Sequence, residues 1–216
     1  MMSDPGLLVL AAWLLPITSF LVLGLVFPFR RLGRPAAWFS TLCAACAFGS
    51  AVMAWRIQSE TAHAARIVVD WLPSAGGSIA TVGVFADQTS TTMLCLVTLV
   101  SLLVQLYSLG YLHDEPPTAL GRYYTYQSLF AFSMIGLVLA PNLLQLFMCW
   151  ELVGLCSYLL IGFWYTKPSA ARAAAKAFWI TKAGDVGLLI GMVLLYTQAK
   201  TYDFLELRSQ IGRAHV

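Results

Sequence analysis

Charge is scarce in this chain. Its 216 residues include 13 Lys+Arg and 10 Asp+Glu, so 11% are charged, against about 25% in a soluble domain. Too few cations are present to neutralise a row of phosphates, which excludes a nucleic-acid binder, and a soluble enzyme would lack a polar surface. Nucleotide and redox signatures are missing as well. The sequence holds no G-x-x-x-x-G-K-[ST], no G-x-G-x-x-G after a strand, no four-cysteine spacing for an iron–sulfur cluster and no paired histidines for haem. Moving one proton against 100 mV costs about 2.3 kcal/mol, and no group here releases that energy by itself. Uphill transport would need a partner or a gradient. The opening Met1-Met2-Ser3-Asp4-Pro5-Gly6 has no basic segment, so the apolar run after it is expected to stay as a membrane helix and not to act as a signal peptide. The five cysteines (Cys43, Cys46, Cys95, Cys149, Cys156) all fall in apolar segments, which argues against a disulfide framework and for reduced thiols. Cys43 and Cys46 form a C-x-x-C with no His or Asp nearby, too little for a metal or redox site.

Hydrophobic residues supply 59% of the chain, and mean hydropathy is +0.76. One membrane span needs about 20 mostly apolar residues. Runs of that kind, bounded by charges and breakers, predict about six spans, near residues 7–28, 36–56, 88–112, 123–140, 142–165 and 174–198. Arg30, Arg31, Arg34 and Pro35 end the first, and the segment His113 to Arg122, with Pro116-Pro117, ends the third. Pro141-Asn142 is so tight a turn that the fourth and fifth spans must be antiparallel neighbours. Between Gln58 and Phe85, Ile67-Val68-Val69 and the run Ile79 to Val84 flank Ser74-Ala75-Gly76-Gly77, which predicts a β-hairpin, the alternative being an unstructured loop. The apolar hairpin edge is expected to lie on the membrane face or against a neighbouring subunit. The predicted fold is an all-α polytopic membrane protein of about six transmembrane helices, with one extramembrane β-hairpin between helices 2 and 3. Lys and Arg beside the spans set orientation. Seven (Arg30, Arg31, Arg34, Arg122, Lys167, Arg172, Lys176) follow spans one, three and five, and five (Arg56, Arg66, Lys200, Arg208, Arg213) lie on the other side. That bias places the N-terminus and the hairpin outside the cytoplasm.

Glu151, Lys182 and Asp185 stand about nine to twelve residues into their spans, near the middle of a ~30 Å hydrocarbon core. Each costs about 2.5–3.5 kcal/mol there, so the three need partner charges or water. Lys182 and Asp185, three apart, share a helix face and can neutralise each other. The pair is either a structural ion pair or the lining of a wet path that trades protons. Glu151 has no such neighbour, because one turn away lie Phe147, Met148, Gly154 and Leu155. It must meet a cation on another helix or stay protonated, which reads as a proton-handling carboxylate. Ala183, Gly187 and Gly191 form a small-residue strip on which another helix can approach closely. His63, His113 and His215 lie in loops or the tail and read as solvated groups.

The run Cys149-Trp150-Glu151-Leu152-Val153-Gly154-Leu155-Cys156-Ser157-Tyr158-Leu159-Leu160-Ile161-Gly162-Phe163-Trp164 resembles the W-E-x-x-G-x-C-S-Y-L-L-I-G-F-[WY] signature of the antiporter-like membrane subunits of NADH-quinone oxidoreductase, respiratory complex I. Further pieces agree in order: Phe85-Ala86-Asp87-Gln88-Thr89-Ser90, Tyr107-Ser108-Leu109-Gly110-Tyr111-Leu112, Lys176-Ala177-Phe178 and Lys182-Ala183-Gly184-Asp185-Val186-Gly187. The likeness is strongest to the subunit L (subunit 5) branch and runs from Leu7 to about Leu207. It implies proton translocation through buried charges, driven by redox chemistry elsewhere in the electron-transport complex. NADH, FMN, iron–sulfur clusters and quinone would sit in other subunits of the respiratory chain complex, and no cofactor in this chain. The resemblance also implies that Glu151 pairs with a lysine on a seventh span, with Lys182 and Asp185 beside it. Departures are Lys182 where the family commonly has Arg, Pro141 where it has Asp, and Leu152 where it has a small residue. Lysine keeps the charge and loses the guanidinium fork.

Family members continue well beyond residue 216 through two inverted repeats of about five spans each. On that pattern residues 1–120 form an N-terminal three-helix region with the hairpin at about 66–85, and residues 121–200 form the first half of the first antiporter-like repeat. Residues 201–216 are read as a truncated tail. Its last six, Ile211-Gly212-Arg213-Ala214-His215-Val216, back-translate to a sequencing-library adapter and are expected to be an artefact on a fragment of a longer protein. The expected setting is a multi-pass position in a bacterial inner membrane or an equivalent energy-coupling membrane, among other membrane-arm subunits, lipid and protons, with no nucleic acid. The chain would serve a proton-translocating NADH:quinone oxidoreductase without a redox catalytic site of its own. Alternatives are a subunit of a Mrp-type cation/proton antiporter, a membrane-bound hydrogenase or an inorganic-carbon uptake complex. A further reading, from another class, is a non-conducting structural subunit whose charges are only ion pairs.

Overall fold

The computed structural model describes residues 5–26, 30–61, 64–74 and 77–214. The order of elements is α1 (Pro5–Leu25), α2 (Arg34–Thr61), β1 (Ala65–Ser74), β2 (Gly77–Ala86), α3 (Gln88–Tyr111), α4 (Pro117–Val138), α5 (Leu143–Ile161), α6 (Pro168–Ala199) and α7 (Phe204–Ala214). By length and composition, α1, α2, α3, α5 and α6 can each cross a membrane. The remaining long helix, α4, carries the polar run Tyr123 to Ser128 and sits at the centre, packed against α1, α2, α3 and α5. A helix covered by protein on most sides need not be apolar all round, because its polar groups can bond to its neighbours. Ser128 Oγ lies 2.9 Å from Ser19 Oγ of α1 and 2.8 Å from Ser40 Oγ of α2. Ser40 in turn donates to Gln105 Oε1 of α3 at 3.0 Å, and the Tyr124 hydroxyl donates to the Gln105 carbonyl at 2.8 Å. One buried polar chain thus ties four helices together.

Helix ends differ from expectation where local chemistry extends them. Pro117 and Pro168 open α4 and α6 at positions where a missing N–H costs nothing, several residues before the apolar runs begin. α2 continues past residue 56 to Thr61, and Gln58 near its end donates to the Ala86 carbonyl at 3.3 Å. Between α1 and α2, Gly33 has φ +68°, and a Cβ there would lie 2.8 Å from Pro117 Cα. Glycine is required on both counts, since the left-handed region disfavours other residues and the turn seats directly on the start of α4.

The hairpin packs through β2 on one end of its own bundle, while Val69 and Trp71 of β1 stay exposed. The strands pair antiparallel, with Ile67 opposite Val84 and Val69 opposite Val82. Val84 and Ala86 are buried with Val9, Ala12, Trp13, Ile135 and Leu139. The physical reason is backbone satisfaction near hydrocarbon. Phe85 N–H donates to the Leu139 carbonyl at 2.8 Å, Asn142 Nδ2 donates to the Thr81 carbonyl at 2.7 Å, and Gln145 holds Gly83 from both sides, accepting its N–H at 2.9 Å and donating to its carbonyl at 2.8 Å. Ala75 and Gly76 of the expected turn lie outside the described residues. At the same end Arg66 pairs with Asp203, Leu143 N–H donates to the Tyr202 carbonyl at 3.0 Å, and the tail folds as α7 through Ala214.

Candidate functional site

Asn142 fixes the start of α5, its side chain accepting the Gln145 N–H at 2.8 Å as an N-cap. Glu151 follows about 12 Å along that helix, near its middle. After the turn at Gly162, α6 packs back along α5, and Lys182 Nζ reaches Glu151 Oε2 directly. Lys182 also lies 3.2 Å from Asp185 Oδ2 on its own helix, and Trp150 Nε1 donates to Asp185 Oδ1 at 2.8 Å. Glu151, Lys182 and Asp185 therefore form one cluster across two helices, and among the described residues the cation that meets Glu151 is Lys182.

Three further residues shape the cluster. The Phe178 ring lies 5.5 Å from Lys182 Nζ, and Tyr158 packs on Phe178 at 5.4 Å. Gly154 borders the ammonium, since a Cβ there would sit 3.8 Å from Nζ. Phe178 and Trp150 carried a readable signal, one a turn before Lys182 and the other beside Glu151. Gly154 carried none, because its closeness depends on how α5 and α6 cross.

Asp185 is buried, whereas the Glu151 and Lys182 side chains keep 31% and 25% of their exposure, on the open side of the helix pair. Two carboxylates share one ammonium, so the cluster carries −1 when fully ionised and becomes neutral on binding one proton.

The other singled-out residues lie apart. Ala183, Gly187 and Gly191 are exposed, and a Cβ at Gly187 or Gly191 would meet nothing within 4 Å. His113 is exposed and contacts the Gly110 carbonyl at 2.8 Å and Asp114 at 3.0 Å; His63 and His215 lie outside the described residues. All five cysteines are free, with Cys43, Cys149 and Cys156 buried and Cys46 exposed.

Two family models match the chain. One, described as "NADH-Ubiquinone oxidoreductase (complex I), chain 5 N-terminus", covers residues 71–124. The other, "NADH:quinone oxidoreductase/Mrp antiporter, TM", covers residues 140–215, the segment that holds the charge cluster. NAD(P)H-quinone oxidoreductase chain 5 of Synechocystis sp. is 41% identical over 203 residues, 89% of this chain and 29% of that protein. The chloroplastic subunit 5 of Chara vulgaris is 52% identical over 124 residues, 57% of this chain and 18% of that protein. Among solved structures, the Mrp complex from Dietzia sp. DQ12-45-1b is similar with a TM-score of 0.72 at 27% identity, covering 92% of this chain and 20% of that one. The chain thus spans less than a third of the length of these relatives.

Proposed function

Because the chain belongs to the antiporter-like membrane-subunit family shared by NADH:quinone oxidoreductases and Mrp antiporters, we propose that it is part of a proton-translocating subunit in the membrane arm of an NADH:quinone oxidoreductase. The observation that carries this reading is the cluster of Glu151, Lys182 and Asp185, two acids around one base in the middle of membrane-spanning helices. A positive charge approaching Glu151 from the open side of α5 and α6 competes with Lys182 and drives it toward Asp185. The cluster then releases its proton, and withdrawal of that charge loads one again. Lys182 is the moving part, Glu151 the switch, and Asp185, held by Trp150, the fixed counter-charge.

Energy comes from redox chemistry in other subunits, where NADH, FMN, iron–sulfur clusters and quinone belong, and the partners are the neighbouring membrane-arm subunits. The chain lies in an energy-coupling membrane such as a bacterial inner membrane, its hairpin end outside the cytoplasm. A second reading is favoured by the similarity to a Mrp complex: the same cluster would exchange protons against a metal cation, with an ion gradient as the driver.

The test is Glu151→Gln in the assembled complex in inverted membrane vesicles, with NADH oxidation and dye-reported proton uptake measured together. Assembly is expected to persist while uptake per NADH falls severalfold. Unchanged uptake would reject the switch and leave the structural reading. Uptake that follows a sodium gradient and ignores NADH would select the antiporter.

A further inference from the structure

At the end of the bundle opposite the hairpin, α4, α5 and α6 enclose a pocket of about 230 Å³ that involves none of the cluster residues. Arg122, Tyr126, Tyr158, Gly162, Tyr165 and Ala171 line it. Arg122 lies in the second turn of α4, Gly162 caps α5 and Ala171 is in the first turn of α6. The pocket therefore sits at the helix ends, the level at which tyrosines and basic residues meet lipid head groups.

Arg122 is held by one hydrogen bond and two ring contacts. Its Nη2 donates to the Phe163 carbonyl at 3.1 Å, and its guanidinium lies over the Phe163 ring at 5.3 Å and the Tyr165 ring at 4.9 Å. Among the described residues no carboxylate pairs with it. A guanidinium has five N–H donors in a planar fork suited to phosphate, so most of its donors are open to a ligand.

The surrounding charge has the same sign. This end carries Arg30, Arg31, Arg34, Arg122, Lys167, Arg172 and Lys176 against Asp114 and Glu115, an excess of five positive charges, and Glu115 is engaged by Trp164 Nε1 at 2.7 Å. Among the described residues of the hairpin end, Arg56, Arg66, Lys200 and Arg208 face Glu60, Asp70, Asp87, Asp203 and Glu206, an excess of one negative charge.

We infer that this pocket binds the phosphate head group of an anionic membrane lipid. The volume, below the about 300 Å³ at which drug-sized sites begin, suits a phosphodiester with a small polar substituent. The guanidinium already covers the Phe163 and Tyr165 rings, which leaves fewer ring faces for the quaternary ammonium of a choline lipid. The inference rests on the membrane setting of the bundle and not on proton transfer, and basic pockets between helices on the cytoplasmic side are where anionic head groups are held.

The experiment places the chain in phosphatidylcholine nanodiscs with and without phosphatidylglycerol, counts retained lipids by native mass spectrometry and follows thermal unfolding. A separate arm adds inorganic phosphate to neutral discs. Phosphatidylglycerol is expected to be retained selectively and to raise the unfolding temperature. Arg122→Gln should weaken retention about fivefold, the worth of one basic residue at a membrane surface, and Ala171→Trp, which fills the pocket and keeps the charge, should abolish it. Since Arg122→Gln also removes a bond to the Phe163 carbonyl, Ala171→Trp carries the test should that variant misfold. Equal retention by the parent and Ala171→Trp overturns the proposal. A response to inorganic phosphate with none to phosphatidylglycerol overturns the lipid assignment in favour of a soluble phosphate.

Discussion

Removing the ammonium from the cluster tests its charge logic through stability. At 3.2 Å and an effective dielectric of 20, the Lys182–Asp185 attraction is about 5 kcal/mol. The Lys182 and Glu151 side chains are 25% and 31% exposed, so screening reduces the net loss on Lys182→Met to about 3 kcal/mol, the low end of the cost of stranding a buried partner. Glu151→Gln leaves Lys182 paired with Asp185 and should cost only about 1 kcal/mol. In the double variant no Glu151 carboxylate remains to be stranded, so the two costs should fall short of additivity by about 1–2 kcal/mol. Thermal and denaturant unfolding in detergent micelles, followed by tryptophan fluorescence, measures all four corners of this cycle. Additivity to within about 0.5 kcal/mol would mean that the three residues do not act as one unit.

Two further outcomes follow from the packing. Gln145→Leu leaves the buried Gly83 N–H and carbonyl without their partner, at a cost of about 1–3 kcal/mol for each group; amide exchange at Gly83 should accelerate markedly, and unchanged protection there would show that the hairpin is held elsewhere. Gly33→Ala forces a Cβ into the left-handed region and toward Pro117, which should lower stability by at least about 1–2 kcal/mol. Gly33→Asn, which tolerates that backbone better, should lose less in the same unfolding assay.

Much of the fold was written in the hydropathy, because a span must hide every peptide group inside an apolar cylinder of fixed length. That constraint reveals α3 to within one residue and the ends of α1 and α5 to within about four. It fails at α4, whose first turns, Pro117 to Arg122, read as loop. Their environment is protein, with Gly33 and Arg30 packed on them, and no local pattern reports that. The hairpin was visible in its β-branched runs, but its docking was not, since Asn142 and Gln145 look like ordinary turn residues until Thr81 and Gly83 are placed beside them. At the site, the expense of a mid-span charge singled out Glu151, Lys182 and Asp185 individually. Their union depends on the rotation of α5 against α6, and so do the contacts of Trp150 and Gly154 across that pair.

During synthesis the hairpin emerges after α1 but well before the polar groups of α5 that bond to it. Thr81 precedes Asn142 by 61 residues and Gly83 precedes Gln145 by 62, a delay of roughly 3–12 s at ribosomal speed. For that interval the strand pair has only α1 and the Gln58 end of α2 to pack on while α3, α4 and the start of α5 are threaded in. Full burial of Val84 and Ala86 is thus a late step of insertion, and anything that slows passage of the Pro141-Asn142 turn lengthens the window in which the hairpin can be cleaved or captured by another chain.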